Sequence, residues 1–333
     1  MELYDKLKMF LEADNPVKLL APLGGVRTDN LGNAICTIVP PMPGGSHLLL
    51  DAHFDTIGLI VTHIEPGGFL RVAGVGGMDV RAMPAARVEI NAAKGRVSGL
   101  VCSTPPHLDK GEEKKLSKAD ELYIDIGLSE ERAREKITPG DRAWIVSPIQ
   151  KLLGGKLAAP WLDNRASCLA VAEAAEILKG EKLDVGLSVI FSSMEEVGGP
   201  GAGCAAFGVE PTDALVVDVT FGICPGSDKH KCYKLGGGPT IGFSPILDRK
   251  FSARLVETAK AQDIPYQHEV MPGRTGTNAD GIAASRAGIP TGLVSIPVRY
   301  MHSPVEVVDQ ADIQNTTNLI VAFVKSFAAG RGI

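Results

Sequence analysis

Five short polar clusters in the chain carry residue types that could activate water. They are His53-Phe54-Asp55, Asp163-Asn164, Glu195-Glu196, Asp218 and His302. Imidazole and carboxylate groups bind borderline divalent ions, and a site without thiolate ligands keeps enough Lewis acidity to activate water. A lone histidine at a strand end is more often a hydrogen-bonded core residue, and a Glu-Glu pair is more often a solvated turn. The five clusters together favour a metal centre over those simpler interpretations.

Two of the clusters stand in apolar surroundings. His53 and Asp55 interrupt a largely apolar segment, and Asp218 ends the apolar run 214–217. A buried imidazole or carboxylate needs a partner, and a metal ion supplies one while a nearby carboxylate orients the histidine ring. The simpler role for Asp163 is an N-cap of the helix that follows it. His53 and Asp218 are therefore candidate ligands, and Asp55 is the candidate group that orients His53.

The elements that carry these clusters alternate between strands and helices. Apolar runs predict buried strands, and apolar residues at helical spacing predict amphipathic helices. Strands are predicted at 48–50, 58–62, 185–192, 214–219, 266–271 and 291–296, and helices at 1–13, 164–178, 201–207, 253–262, 279–287 and 312–327. This order predicts an α/β fold with a mostly parallel sheet and helices on both faces. Ligand sites in such sheets collect at the carboxyl ends of the strands.

Residues 67–151 differ from the rest of the chain, because short β-type runs there are separated by glycine, proline and charged loops. The runs lie at 87–90, 95–101 and 142–146. The pattern predicts a small inserted β-rich domain at 67–151, which interrupts a discontinuous domain formed by 1–66 and 152–333. The charge-dense stretch 109–120 is expected to be a solvated loop.

Length and composition narrow the class of protein. A chain of 333 residues exceeds the usual size of one hydrophobic core, so two domains or a domain with an insertion are expected. Contents of 44% hydrophobic and 22% charged residues are those of a globular protein. A net charge of −5 without basic runs argues against a nucleic-acid partner.

The start of the chain and the cysteines bear on cellular location. Residues 1–16 lack the basic start and the continuous apolar stretch of a signal peptide. No segment reaches the roughly 18 apolar residues that span a bilayer. A cytoplasmic protein without a membrane partner is therefore expected. The six cysteines form no CxxC pair, and buried free thiols are the simplest expectation for them.

The polar clusters and their neighbours resemble the motifs of the dinuclear metalloaminopeptidases, the family of glutamyl aminopeptidases and tetrahedral (TET-type) aminopeptidases. The resemblance covers nearly the whole chain, with the motifs in the family's order. It rests on 51–58 (DAHFDTIG), 162–165 (LDNR), 193–198 (SMEEVG) with Gly201-Ala202, 217–220 (VDVT) and 301–306 (MHSPVE). It implies a zinc-peptidase-like catalytic domain, an inserted PDZ-like domain that mediates dimerisation, and dimers that assemble into a hollow tetrahedral dodecamer.

The same resemblance implies two divalent metal ions in each subunit. His53 and Asp218 would hold one ion, Glu196 and His302 the other, and Asp163 would bridge the two. Zn²⁺ or Co²⁺ is expected, with Mn²⁺ as a third candidate. Two ions about 3.5–4 Å apart can share a water molecule and polarise the carbonyl that it attacks. The implied activity is the release of N-terminal amino acids from short peptides.

Glu195 is implied to be the general base. Because Glu195 and Glu196 are adjacent, one side chain can bind a metal while its neighbour takes a proton from water and delivers it to the leaving amine. In the family, the peptide bond after the bridging aspartate is cis, and here that bond joins Asp163 and Asn164.

The chain departs from the usual family pattern at four places around the implied ligands. Thr56, Asn164, Gly199-Pro200 and Phe221 stand where an acidic residue, an aspartate, an arginine and a histidine are common. None of these residues is an implied ligand, so the departures concern substrate preference and the surroundings of the metals.

Other functions were weighed against the aminopeptidase. A related two-metal amidohydrolase, such as a carboxypeptidase or an N-acyl amino acid deacylase, would use the same ligands but would not require a free substrate amine. A non-catalytic scaffold with a vestigial site is disfavoured because all five ligands and the base are present. A glycosidase needs only a pair of carboxylic acids, which leaves the two histidines unexplained.

Overall fold

The computed structural model describes residues 1–103, 107 and 121–329. The chain divides into two compact units. The sheet unit comprises Met1–Asp55, Ile149–Met301 and Glu306–Ile333, and the barrel unit comprises Thr56–Pro148 and His302–Val305. The charged stretch 109–120, expected to be a solvated loop, lies outside the described residues.

Strands and helices alternate along the described residues. The strands are β1 (Val26–Thr28), β2 (Ala34–Val39), β3 (His47–His53), β4 (Gly58–Ile64), β5 (Leu70–Val75), β6 (Arg87–Ala92), β7 (Gly95–Val101), β8 (Tyr123–Asp125), β9 (Arg142–Ile145), β10 (Gln150–Lys151), β11 (Lys156–Ala159), β12 (Gly186–Ser192), β13 (Asp213–Phe221), β14 (Thr240–Phe243), β15 (Gln267–Val270), β16 (Thr291–Arg299) and β17 (Glu306–Asp309). The helices are α1 (Leu3–Glu12), α2 (Pro16–Leu20), α3 (Glu130–Lys136), α4 (Leu162–Lys179), α5 (Pro200–Val209), α6 (Arg249–Ala261), α7 (Asn278–Ala283) and α8 (Gln310–Ala329).

An 11-stranded mixed sheet runs through the sheet unit in the order β1-β2-β12-β3-β13-β16-β17-β11-β10, with β14 pairing with β16 and β15. The central strands β12, β3, β13 and β16 are parallel to one another. The strands at both margins of that ladder, β2 and β17, pair antiparallel with it. The predicted α/β class is thus confirmed, and the parallel pairing is concentrated at the centre of the sheet.

Both faces of the central sheet are buried under helices. Leu48 and Leu50 of β3 join the core on the face covered by α1, α4 and α8. Leu49, which points to the opposite face, joins the core under α5 and α7. All residues of β3 and of β12 are buried. A central strand covered on both faces reads as a continuous apolar run in the sequence, which is why these strands were predictable.

The barrel unit is a closed barrel with the strand order β4-β5-β8-β7-β6-β9. Its core includes Leu59, Val61, Leu70 and Ile90, and α3 supplies Ala133. The predicted inserted β-rich module is confirmed as a barrel. The structural unit starts at Thr56, ahead of residue 67, because β4 pairs with both β5 and β9 and so belongs to the barrel ladder.

The cysteines are free thiols, as expected, but most of them are not buried. Cys36 and Cys168 are buried, whereas Cys102, Cys224 and Cys232 are half-buried and Cys204 is exposed. The expectation of burial is therefore wrong for four of the six. A cysteine on a helix surface such as that of α5 carries no sequence signal of its exposure. In the part of the chain that the structure describes, no helix is long and apolar enough to cross a membrane.

Helix α6 provides a test of the local structure. Asp248 is its N-cap, and the carboxylate accepts a hydrogen bond from the Phe251 backbone N–H at 2.7 Å. Replacing Asp248 with Ala leaves that N–H without its acceptor, so the free energy of unfolding should fall by about 0.5–2 kcal/mol. Urea denaturation measures the change. Asp248→Asn keeps an acceptor oxygen and should retain most of the stability; equal losses in both variants would contradict the capping role.

Candidate metal centre

The sheet brings three of the predicted site segments to its carboxyl edge. His53 is the last residue of β3, and its register partner on the parallel strand β12 is Ser192. The chain leaves β12 and enters a short turn of 3-10 helix at Glu195–Val197. Asp218 lies in β13, which pairs with the other edge of β3. Because parallel strands end at the same edge of a sheet, these side chains converge.

The bridging candidate Asp163 reaches this edge from the start of α4. Its backbone is not helical, with φ −80° and ψ 102°, and the peptide bond between Asp163 and Asn164 is cis, as predicted. The Asp163 N–H donates to Glu306 Oε2 at 3.0 Å, and Asn164 Nδ2 donates to the Val217 carbonyl at 3.0 Å. These contacts fasten the first turn of α4 to β17 and β13.

His53 is at the centre of the cluster. Its Nε2 lies 3.1 Å from Asp163 Oδ1, 3.7 Å from Asp218 Oδ1 and 3.9 Å from Glu195 Oε2. One ligand atom from each of His53, Asp163 and Asp218 lies within 4.8 Å of the others, and all three residues are buried. His53, Glu195 and Glu196 form a second group that meets the same distance limit. The structure thus brings together the predicted ligands of the sheet unit and the predicted base.

Asp55 connects the histidine with the Glu-Glu turn. The Glu195 N–H donates to Asp55 Oδ1 and the Glu196 N–H to Asp55 Oδ2, both at 3.1 Å. On its other side, Asp55 Oδ1 is 3.6 Å from His53 Nδ1, which also lies 3.1 Å from the Asp55 carbonyl oxygen. Asp55 can therefore orient the ring and hold both glutamates in place.

Burial and mutual repulsion shift the acidities in this cluster. Burial raises the pKa of Glu195 to about 8, and the negative charges of Asp218, Glu196 and Asp163 add to that rise. Burial likewise raises the pKa of Asp218. Burial alone would lower the pKa of His53, but hydrogen bonds to Asp163, Asp218 and Asp55 outweigh it, so the pKa is well above its usual value.

These shifts have one physical cause, a set of carboxylates crowded around a single imidazole with little solvent. Such a group of like charges is unfavourable unless cations neutralise it. Imidazole nitrogen and carboxylate oxygen are also the donor types that Zn²⁺, Co²⁺ and Mn²⁺ accept. The residues present therefore fit a site for divalent ions.

Two further residues, His302 and Glu306, belong to the motif 301–306. His302 belongs to the barrel unit, where its Nδ1 lies 2.8 Å from the Gly77 carbonyl oxygen. Its predicted role as a ligand stays a prediction. The motifs assign no role to Glu306. Its side chain is buried, at 2% exposure, and accepts a hydrogen bond from the Asp163 N–H. Its signal was a carboxylate directly before the apolar pair Val307–Val308.

Asp55 offers a direct test of the arrangement. Asp55→Asn keeps the shape but removes the negative charge and replaces one of the two acceptor oxygens with a donor. We expect metal affinity or turnover to fall about 10–100-fold, the usual effect of losing a group behind a ligand. Metal titration and kinetics measure it. Asp213→Asn, at the start of the same strand as Asp218, is the matched control, and an Asp55→Asn enzyme that behaves like that control would remove the proposed role.

Comparison with known proteins gives the class, a peptidase, and the family. The sequence profile of the M42 glutamyl aminopeptidases matches residues 32–319. The chain belongs to this family. A lysyl aminopeptidase of Pyrococcus furiosus is 34% identical over 305 residues, which cover 90% of this chain and 86% of that protein. The family and the aminopeptidase function indicated by the motifs are confirmed.

Solved structures give the same answer. An aminopeptidase from the archaeon Desulfurococcus kamchatkensis superposes with a TM-score of 0.89 at 31% identity, covering 99% of this chain and 98% of that one. The TET1 peptidase of Pyrococcus horikoshii, which can assemble into a tetrahedron or a large octahedral shell, superposes with a TM-score of 0.86 at 29% identity, covering 97% and 99%. The similarity therefore extends over both units of the chain.

Proposed function

We propose that this aminopeptidase releases N-terminal amino acids from short peptides with water activated between two divalent ions. The observation that carries the proposal is the buried group of His53, Asp163 and Asp218, whose ligand atoms lie within 4.8 Å of one another. A histidine and two carboxylates in that arrangement have no evident use in a protein core, because burying them without a cation is unfavourable. A cytoplasmic location, expected from the sequence, is part of the proposal.

Each ligand has one task. His53 and Asp218 would hold one ion, Glu196 and His302 the other, and Asp163 would be shared between them. When bound, two such ions supply Lewis acidity that makes water acidic and polarises the substrate carbonyl. Zn²⁺ and Co²⁺ are the favoured ions, and Mn²⁺ suits the same donors.

The proton is moved by Glu195. Its carboxylate lies 3.9 Å from His53 Nε2 and its side chain is 16% exposed, so it is beside the ligands and still partly accessible to solvent. Its pKa of about 8 shows that the carboxylate readily holds a proton in this environment. With divalent ions bound, the pKa of Glu195 would be lower, and its carboxylate could accept a proton from water and return it to the leaving amine.

The substrate class is tested with matched peptides. Aminoacyl chromogenic substrates and short peptides with free N-termini should be cleaved by the metal-loaded protein, and the same compounds with acetylated N-termini should not. Preference for the acetylated series would show an N-acyl amino acid deacylase instead. Release of C-terminal residues would show a carboxypeptidase. Failure to hydrolyse every substrate with Zn²⁺, Co²⁺ and Mn²⁺ supplied in turn would overturn the proposed function.

Assembly is the second part of the proposal. The chain forms homo-oligomers built from dimers through the barrel unit, up to a tetrahedral dodecamer, as the Pyrococcus horikoshii relative forms closed shells. Such an enclosure would restrict substrates to peptides able to enter it. Native mass spectrometry of the full-length protein tests this, and a monomer at micromolar concentration would contradict it.

Metal binding should depend on pH with a defined sign. The pKa of His53 is well above its usual value because neighbouring carboxylates hydrogen-bond to the ring, so in the metal-free protein the ring is protonated at neutral pH. It must lose that proton to bind a metal. Affinity should therefore rise with pH, by about tenfold per pH unit for each proton displaced. Calorimetry in buffers of different ionisation enthalpy measures the protons released, and an affinity independent of pH between about 6 and 8 would contradict the prediction.

A further inference from the structure

Arg165 is a buried cation two residues after Asp163. It is 7% exposed, and burial lowers its pKa to about 10. A buried guanidinium is usually paired with a carboxylate, because an unpaired charge in the interior is strongly unfavourable. Within the described residues, all three of its side-chain hydrogen bonds go instead to main-chain carbonyl oxygens. These hydrogen bonds fix backbone segments, and the nearby charge of Asp55 favours the guanidinium without a hydrogen bond to it.

The first of these segments carries His53 and Asp55. Arg165 Nε donates to the carbonyl of Phe54, the residue between them, at 3.0 Å. The guanidinium also lies flat against the Phe54 ring, with Cζ 3.4 Å from the ring centroid. The Phe54 ring is also nearly parallel to that of Phe191, at a centroid distance of 6.2 Å and an interplanar angle of 11°. Phe54 is thus held in place through both its carbonyl and its ring.

The second segment is the end of α1. Arg165 Nη1 donates to the carbonyls of Phe10 and Ala13, at 2.8 and 2.9 Å. Helix α1 has no basic residue in its last turn, and its C-cap is Ala13. The last carbonyls of a helix need donors and favour a cation, both of which Arg165 supplies. The helix end therefore serves as a fixed anchor for the guanidinium.

The contacts join the two halves of the proposed metal centre. Asp163 comes from the first turn of α4, while His53 comes from β3, and the side chain of Arg165 links the two backbones directly. The distance from His53 Nε2 to Asp163 Oδ1 is 3.1 Å. Metal ligands must be kept at a fixed spacing to bind an ion. Two ions shared by these ligands tolerate little change in spacing.

We infer that Arg165 is a positioning residue: it holds the His53-Phe54-Asp55 segment against the Asp163 segment, and so sets the ligand spacing of the metal centre. The inference rests on the proposed function. Its side chain contacts Phe54, Phe10 and Ala13, so Arg165 acts through Phe54 and through its own chain connection to Asp163.

The test uses the full-length protein, freed of metal and titrated with Co²⁺, whose visible spectrum reports ligand geometry. Arg165→Lys keeps the charge but loses the planar fork that reaches several carbonyls and stacks on a ring. We expect Co²⁺ affinity to fall about 10–100-fold with an altered cobalt spectrum. The kcat with Co²⁺ saturating should fall by a similar factor, while KM changes less.

Two further variants separate positioning from general stability. Arg254→Lys is the matched control, because Arg254 also packs on an aromatic ring, with Cζ 4.7 Å from the centroid of Phe327, but belongs to α6. It should bind Co²⁺ within about twofold of the wild-type protein, the change expected of a site without contact to the ligands. Phe54→Leu removes the stacked ring and leaves the guanidinium in place, so it should weaken Co²⁺ binding in the same direction as Arg165→Lys. Circular dichroism shows whether each variant folds. If Arg165→Lys does not fold, Phe54→Leu still tests the inference.

The outcomes are distinct. Weaker Co²⁺ binding and an altered spectrum in Arg165→Lys and Phe54→Leu, with Arg254→Lys unchanged, support the inference. Folded Arg165 and Phe54 variants that differ from the wild-type protein only in a lower melting temperature overturn it, since Arg165 would then be a core residue and nothing more. A wild-type protein that binds no Co²⁺ and cleaves no peptide overturns the proposed function, and the inference with it.

Discussion

Removal of divalent ions should abolish peptide hydrolysis by this protein while its fold remains. The expected loss is at least about 10⁴-fold, because Lewis acidity and water activation are the chemistry that the ligand set serves. Circular dichroism should change little, since the apolar cores on both faces of the central sheet do not include the site residues. Dialysis against a chelator, with elemental analysis and a chromogenic assay, measures both quantities.

Restoration distinguishes a specific site from general damage. Zn²⁺, Co²⁺ or Mn²⁺ should return the activity, whereas Mg²⁺, which prefers oxygen ligands and retains its waters, should not. Asp163→Asn should resist restoration by any of them, because the bridging position loses its negative charge. Asp309→Asn, whose carboxylate contacts Lys156 at 3.1 Å, is the control and should be restored like the wild-type protein. A metal-free preparation that hydrolyses peptides at the untreated rate would refute the metal dependence.

The central strands could be predicted from the sequence because they contain buried apolar runs that are followed by polar residues. The runs 48–50 in β3 and 214–217 in β13 are buried and wholly apolar, so the polar residues that follow them stand out. His53 and Asp218 were found by that contrast. The same contrast is absent from short strands such as β1. Because the residues of β1 are exposed or half-buried, the apolar pattern does not predict a strand there.

Which strands pair with one another could not be predicted from the sequence. The run 58–62 predicted a strand correctly, but nothing in those residues shows that β4 pairs with β9, far along the chain, rather than with the central sheet. The same limit applies to Arg165. It was visible as part of a motif, yet its partners Phe10, Ala13 and Phe54 lie far away in sequence and meet it only in the folded chain. Contacts of this kind depend on tertiary structure alone.

Glu195 and Glu196 present a choice that geometry alone leaves open, because both belong to the group formed with His53. Both backbones are fixed by the same carboxylate, Asp55. Burial and the surrounding carboxylates raise the pKa of Glu195 to about 8, so its carboxylate readily holds a proton in the metal-free protein. The family motif assigns Glu195 as the base and Glu196 as the ligand, and a general base works best when its pKa lies near the working pH.

Replacing Glu195 with Gln should therefore lower kcat by about 10²–10⁴-fold and leave metal content and fold almost unchanged. Gln keeps the shape and a carbonyl acceptor but cannot take a proton at neutral pH. Glu196→Gln is the matched comparison at the neighbouring position. There the same change removes a negative charge that helps to neutralise two dications, so it should lose metal first and activity as a consequence. Elemental analysis beside steady-state kinetics on both variants separates the roles. If Glu195→Gln retained full metal occupancy and near wild-type turnover, the proton would have to be taken by another group, and the mechanism would lose its central step.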